Sequence, residues 1–245
     1  MRPSSVKPFQ GRERATVLLA PLVSVLLIAL ACAPSTPPPS LRQTPSAQPL
    51  RQPAQVFGHE HAEWLEREGR AESERPDEVI AAMKLRDGEA VAEVGCGTGF
   101  FSRRLAKAVG PHGKVYAEDI QAEMLDLLQK YASQDGDANI VTVLGTETDP
   151  KLPDGRMDWI LLVDVYHEFQ EPAPMLAKIR QALKPGGRIA LVEYRAEDDS
   201  ALHISPAHRM SVDQVLREWR PAGFELVERI ETLPSQHLLI FTAAR

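Results

Sequence analysis

The chain has 245 residues, 43% of them hydrophobic and 25% charged, with a formal net charge of −6, enough for one globular domain with something added. Four bases against one acid give residues 1–31 a charge of +3, which leaves about −9 on the rest; with no basic stripe interleaved with aromatics, nucleic acid is not an expected partner. The two cysteines, Cys32 and Cys96, give no disulfide framework to read.

The first 14 residues hold the basic cluster, and "ATVLLAPLVSVLLIALACA" (15–33) follows without a charge. A basic head, an apolar core and a small residue before a cut are the marks of a secretory signal. Ala31-Cys32 resembles the lipobox of bacterial lipoproteins, in which Cys32 becomes the acylated N-terminus. The order of Ala29 and Leu30 departs from the commoner one. The alternatives are an uncleaved anchor of about 19 residues, just long enough to span a bilayer, or a misplaced start codon that would leave the protein in the cytoplasm. The expectation is an exported, membrane-tethered protein. Residues 33–55 are dense in Pro, Ser and Gln, a composition that makes a semi-extended linker, and the folded domain is expected over 56–245.

Within the domain "RPDEVIAAMKL" (75–85) reads as a helix with Pro76 near its start. "AVAEV" (90–94) is a short apolar run, a buried strand. A helix over 100–109, a strand "KVYAED" (114–119), a helix from Ala122 and strands at 140–144 and 157–164 follow. The next helix, 173–183, is closed by Lys184-Pro185-Gly186-Gly187, and "RIALVEY" (188–194) is the fifth strand. Strands alternating with helices imply βαβ units and a parallel sheet covered on both faces. The fold class is therefore α/β, doubly wound and Rossmann-like. The tail differs: a helix from Ser211, then strands at 224–232 and 237–244 with a short link, the length of an antiparallel hairpin.

In such sheets ligands bind at the carboxyl ends of the strands. Gly95, Gly97 and Gly99 stand at the end of the first strand and the start of the next helix. Bare Cα atoms let the turn tighten and a ligand approach, and the helix N-terminus adds free N–H groups and positive potential. The dinucleotide pattern G-x-G-x-x-G is missed, since Phe100 stands where its third glycine belongs. Asp119 ends the second strand 24 residues after Gly95, where a carboxylate can accept both hydroxyls of a ribose; its other reading is a helix cap. Its neighbour Glu118 is expected to face the other way.

Together "EVGCGTG", "VYAEDI" and "LKPGGRIALVEY" resemble the class I S-adenosylmethionine-dependent methyltransferases over roughly 76–244. The resemblance implies a mostly parallel seven-stranded sheet with an antiparallel last strand, and S-adenosylmethionine as cofactor. Glu93, Gly95, Gly97 and Gly99 match the positions that hold the methionine and ribose part, and Asp119 matches the ribose carboxylate. Cys96, Ile120 and Asp164 join them on the cofactor side, Cys96 as a small loop residue and not a nucleophile. Glu147 or Thr146 stands where the family reads adenine, or belongs to an ordinary surface loop.

Methyl transfer needs positioning and, for a protonated acceptor, a general base. "DVYHEF" (164–169) offers Tyr166 and His167 as catalytic candidates, with Glu168 beside them; the plain alternative is that His167 packs or caps. The long loop 194–212 carries Arg195, His203, His208 and Arg209. Arg195, His208 and Arg209 are candidate substrate contacts, or solvated partners of its acidic residues. His59, His61 and His203 lack a metal-ligand spacing, and no metal site is expected. The acceptor is expected to be a small molecule of unspecified kind. Two rivals stand beside this reading: an exported binding protein that keeps the cofactor fold without catalysis, and a dinucleotide oxidoreductase, which Phe100 opposes. Oligomeric state is not legible in the sequence.

Overall fold

The computed structural model describes residues 52–244. The signal-like segment, Cys32 and most of the linker lie outside the described residues. Among the described residues no helix is long and apolar enough to cross a membrane.

One sheet organises the fold. β1 (Ala90–Val94) lies between β2 (Lys114–Asp119) and β4 (Met157–Val163), β3 (Ile140–Leu144) flanks β2, and β5 (Leu183–Arg195) flanks β4, all parallel. A two-residue strand, β6 (Arg209–Met210), pairs with the end of β5. β8 (Gln236–Ala243) runs antiparallel to β5 and to the edge strand β7 (Phe224–Ile230). The order is thus β3-β2-β1-β4-β5-β8-β7, and the expected antiparallel last strand is β8, enclosed between two neighbours. Order reverses between β1 and β4, and a site opens at such a reversal above the strand ends.

The central strands read as unbroken apolar runs because both faces are covered. Along β4, Ile160 and Leu162 turn to one side and Trp159, Leu161 and Val163 to the other. The first side packs against α5 (Pro172–Ala182) and α6 (Val212–Trp219), through Met175, Ile179, Val215 and Trp219. The second packs against α2 (Pro76–Met83) and α3 (Ser102–Ala108), through Val79, Met83 and Leu105. α4 (Ala122–Asp135) lays Leu125 and Leu128 against Ala117.

Two expectations about elements change. β5 begins at Leu183, ahead of Arg188: Leu183 pairs with Met157, Arg188 pairs with Trp159, and the residues between them bulge out. Pro185 has no N–H to give the ladder, and Gly186 takes φ +81°, so this punctuation shapes a bulge inside the strand. The loop after β5 is also less open than its length implied. It holds two short 3₁₀ turns, Asp199–Ala201 and Pro206–His208, and then β6.

A strap ahead of α2 has no counterpart in the sequence reading. It runs from Ala54 through a 3₁₀ segment, His59–Glu66, to the short helix α1 (Arg70–Glu74). The Ala54 N–H donates to the His167 carbonyl at 2.9 Å, Phe57 N–H to Glu168 Oε1 at 3.1 Å, and Thr98 Oγ to Glu66 Oε1 at 2.7 Å. With Gln121 Nε2–H donating to the Phe57 carbonyl at 2.9 Å, these bonds lay the strap across the carboxyl ends of β1, β2 and β4.

Candidate active site

The glycine loop carries three positive φ angles, +71° at Gly95, +52° at Gly97 and +81° at Gly99, a conformation that costs other residues about 1–2 kcal/mol each. Two carboxylates at the end of β2 hold the loop. Gly97 N–H donates to Asp119 Oδ2 at 2.8 Å, and Gly95 N–H donates to Glu118 Oε2 at 3.3 Å. Asp119 Oδ1 accepts from Gln121 N–H at 2.9 Å, so the same side chain also caps the turn into α4. Glu118 therefore does not turn away as strand alternation implied. The strand ends here, and the bare Cα of Gly145 leaves the space that the Glu118 carboxylate fills.

The bare face of the loop is used by the chain itself. A Cβ on Gly95 would run into the Val165 side chain, and one on Gly97 would come within 2.7 Å of Leu65 Cδ1. Leu65 belongs to the strap, so the strap roofs the loop. Beneath it lies a cavity of about 320 Å³. Its floor holds Glu93, Cys96, Glu118, Asp119 and Asp164, its roof Phe57, Trp64 and Leu65, and its far wall His167, Glu168 and His208. Arg70 is the one Lys or Arg along it among the described residues.

Burial governs the charges here. Glu93 is 3% exposed and accepts from Ser102 Oγ–H at 2.5 Å; loss of water pushes its pKa up to about 8 against the pull of Ser102 and Arg70. Burial likewise raises Glu118, Asp119 and Asp164 above the usual carboxylate range. Burial lifts Glu168 to about 7. Cys96 is buried, and desolvation beside Glu93 and Asp119 lifts its thiol well above its ordinary value. A thiol held neutral is no nucleophile, in keeping with its reading as a loop residue.

Two buried carboxylate oxygens of residues that line this cavity have no hydrogen-bond partner, Glu118 Oε1, which packs on Gly145, and Asp164 Oδ1. Asp164 takes φ +49°, just past the end of β4, and its Oδ2 accepts from Gln236 Nε2–H at 2.7 Å. Such acceptors are costly unless a ligand satisfies them. S-Adenosylmethionine fits this set: its sulfonium and ammonium suit an acidic floor, its hydroxyls suit carboxylates, and Ile120 offers an apolar edge beside Asp119. Glu93, Asp119, Ile120 and Asp164 thus meet in one cleft as the sequence placed them, and Glu147 reaches its rim while Thr146 does not line it.

The catalytic and substrate candidates divide. His167 is buried, its Nδ1 is 2.6 Å from Glu193 Oε2, and its Nε2 is 3.0 Å from His208 Nδ1. Burial and the neighbouring His167 hold the pKa of His208 below the ordinary imidazole value. Tyr166 instead points into the core, its O–H donating to Glu218 Oε2 at 2.5 Å and its ring edge-on to Trp219. Arg195 is buried and bound to Glu231 and to the carbonyls of Leu233 and Pro234. It ties β5 to the β7–β8 turn and faces no substrate. Arg209, on β6, does not line the cavity either. Glu193, which orients His167, went unassigned; its signal was a carboxylate inside the apolar run "RIALVEY".

Residues 91–187 match the profile of a methyltransferase domain. A demethylmenaquinone methyltransferase from Geobacillus sp. (strain WCH70) is 26% identical over 117 residues, 48% of this chain and 50% of that protein. A ubiquinone/menaquinone biosynthesis C-methyltransferase from Cupriavidus metallidurans is 29% identical over 116 residues, 47% of each. The chain thus spans about half the length of the curated relatives it matches. Among solved structures, a SAM-dependent methyltransferase from Aquifex aeolicus superposes with a TM-score of 0.72 at 27% identity, covering 76% of this chain and 98% of that one. The profile covers the part of the chain that carries the glycine loop and Asp119. Over residues 91–187 the chain is thus similar to methyltransferase domains, and the likeness in fold to the Aquifex aeolicus enzyme reaches beyond them.

Proposed function

We propose that this chain transfers a methyl group from S-adenosylmethionine to a small-molecule acceptor, and does so as an exported protein held at a membrane by its N-terminus. The observation that supports the first part is the convergence, in one roofed cleft, of the glycine loop, Asp119 and the two unpartnered oxygens of Glu118 and Asp164. Glu93, Glu118, Asp119 and Asp164 hold the cofactor, which when bound supplies an electrophilic methyl group. The residues of the chain bind, orient and exclude water, and positioning is the larger share of catalysis in a displacement of this kind. Phe57, Trp64, Leu65 and Phe169 make the rest of the cavity apolar, which suits an acceptor with a ring or alkyl body. The relatives' quinone-directed names point the same way. His167 and His208 stand on the acceptor side, where a proton would leave.

The test is turnover of labelled S-adenosylmethionine by the full-length chain against reduced quinones, phenols and polar amines, alongside calorimetric titration of the cofactor. Labelled product from an apolar acceptor supports the proposal. Cofactor binding without turnover on any acceptor favours a binding protein, and no binding of the cofactor overturns the reading. The second part rests on the lipobox-like Ala31-Cys32 and is tested separately through Cys32.

A further inference from the structure

We propose that His167, Glu168 and His208 bind a single divalent first-row transition-metal ion on the acceptor wall of the cleft. One donor atom from each of the three lies within 4.8 Å of the others. They come from two facing 3₁₀ turns, Tyr166–Glu168 and Pro206–His208, so residues about forty positions apart in sequence meet at a point.

The nitrogen pair is already close to its final spacing. His167 Nε2 and His208 Nδ1 are 3.0 Å apart with their rings at 79°. Metal–nitrogen bonds of about 2.0–2.1 Å place neighbouring donors roughly 3.0–3.4 Å apart in octahedral or tetrahedral geometry. The Glu168 carboxylate, whose Oε1 accepts from the Phe57 N–H at 3.1 Å, supplies the third donor. Behind the first ligand stands the support that metal-binding histidines ordinarily have. Glu193 is fully buried, its Oε2 is 2.6 Å from His167 Nδ1, and its Oε1 accepts from the His167 backbone N–H at 3.2 Å. A proton on Nδ1, held by that carboxylate, leaves the Nε2 lone pair directed toward His208.

Two imidazoles and one carboxylate make the donor set of facial two-histidine, one-carboxylate sites, which take iron(II), manganese, cobalt or zinc and leave positions open. The three residues line the same cavity as Glu93 and Asp119, so the open positions face the space where an acceptor is held. An acceptor oxygen bound there would lose its proton more readily. That consequence rests on the methyl-transfer reading; metal binding itself does not. The site departs from the expectation drawn from His59, His61 and His203, because its ligands are paired by tertiary structure and not by spacing.

The experiment uses the full-length chain without a histidine tag, stripped with chelator and titrated with Co²⁺ and then Zn²⁺, followed by the visible bands of bound cobalt and by calorimetry. One cobalt per chain, displaced by zinc, is expected. His208→Ala on its half-exposed turn, or Glu168→Gln, should abolish the cobalt bands. Glu193→Gln, which removes no ligand, should weaken binding by about 10–100-fold. His203→Ala should leave binding unchanged. Absence of stoichiometric metal, or metal binding that survives His208→Ala with an unchanged spectrum, overturns the proposal and leaves the two histidines as a hydrogen-bonded pair. Because the cobalt spectrum needs no S-adenosylmethionine, failure of the metal site and failure of the methyl-transfer reading give different results.

Discussion

Glu93 should make the ligand-free protein less stable as pH rises, and Glu93→Gln should remove its share of that dependence. The side chain is buried at the end of β1, and its pKa lies near 8 where an exposed glutamate has 4.5. A carboxylate whose native pKa exceeds its unfolded value binds more protons folded than unfolded, so stability is full below the unfolded value and falls as pH climbs through the native one. Between roughly pH 5 and roughly pH 9 the unfolded chain releases nearly one proton throughout, while the native chain releases it only near the top of the interval. At 1.36 kcal/mol per pKa unit the difference comes to about 4 kcal/mol. Glutamine keeps an acceptor for Ser102 Oγ–H but carries no charge at any pH. Urea unfolding of both proteins at the two pH values measures the effect, and the wild type should lose about 4 kcal/mol more than the variant. Glu168, near pH 7, contributes in the same direction to both proteins and cancels in the comparison. Parallel losses in the two proteins would refute the argument and show that Glu93 is ionised throughout.

Asp119→Ala should weaken S-adenosylmethionine by about 1–3 kcal/mol, the size of hydrogen bonds to a charged group, measured by calorimetry; unchanged affinity would show that the carboxylate only holds Gly97 and Gln121. Trp219→Ala should cost about 3–5 kcal/mol by urea unfolding, because the ring is fully buried against Tyr166, Phe224 and Phe241. Trp219→Phe should cost far less than that, since the indole N–H has no partner to lose. Cys32→Ser should release the protein into the soluble fraction of fractionated cells, and persistence in membranes would favour an uncleaved anchor.

The strand at 90–94 was legible to the residue because a strand buried on both faces is written as an apolar run between turn residues; those at 114–119 and 140–144 were legible from their β-branched residues and flanking turns, although β3 lies at the sheet edge with Val141 and Leu144 exposed. Glu93, the glycines and Asp119 were legible for a related reason: the loop needs bare positions and the strand end needs a carboxylate, and both lie within one local βαβ unit. The strap was not, because it is anchored by long-range hydrogen bonds that no local pattern announces, Phe57 to Glu168 and Gln121, and Glu66 to Thr98. Tyr166 and His167 show the limit clearly. They are adjacent and both polar-tipped, yet the 3₁₀ turn sends one into the aromatic core and the other into the cleft. Arg195 was misplaced because a base near a long loop looks solvated, while its partners, Glu231 and the carbonyls around Leu233, come from the far end of the chain.

The left-handed backbone at Asp164 also has a consequence for sequence drift. At φ +49° Gly, Asn and Asp are the most comfortable residues, so a library randomised at this codon and sorted for folded protein should be enriched in those three. Sorted again for retention of a cationic ligand, it should keep Asp alone, because Asn carries no charge and Gly has no side chain. One position therefore separates what the chain needs in order to fold from what it needs in order to bind, and the gap between the two surviving sets measures how strongly selection for the ligand has acted there.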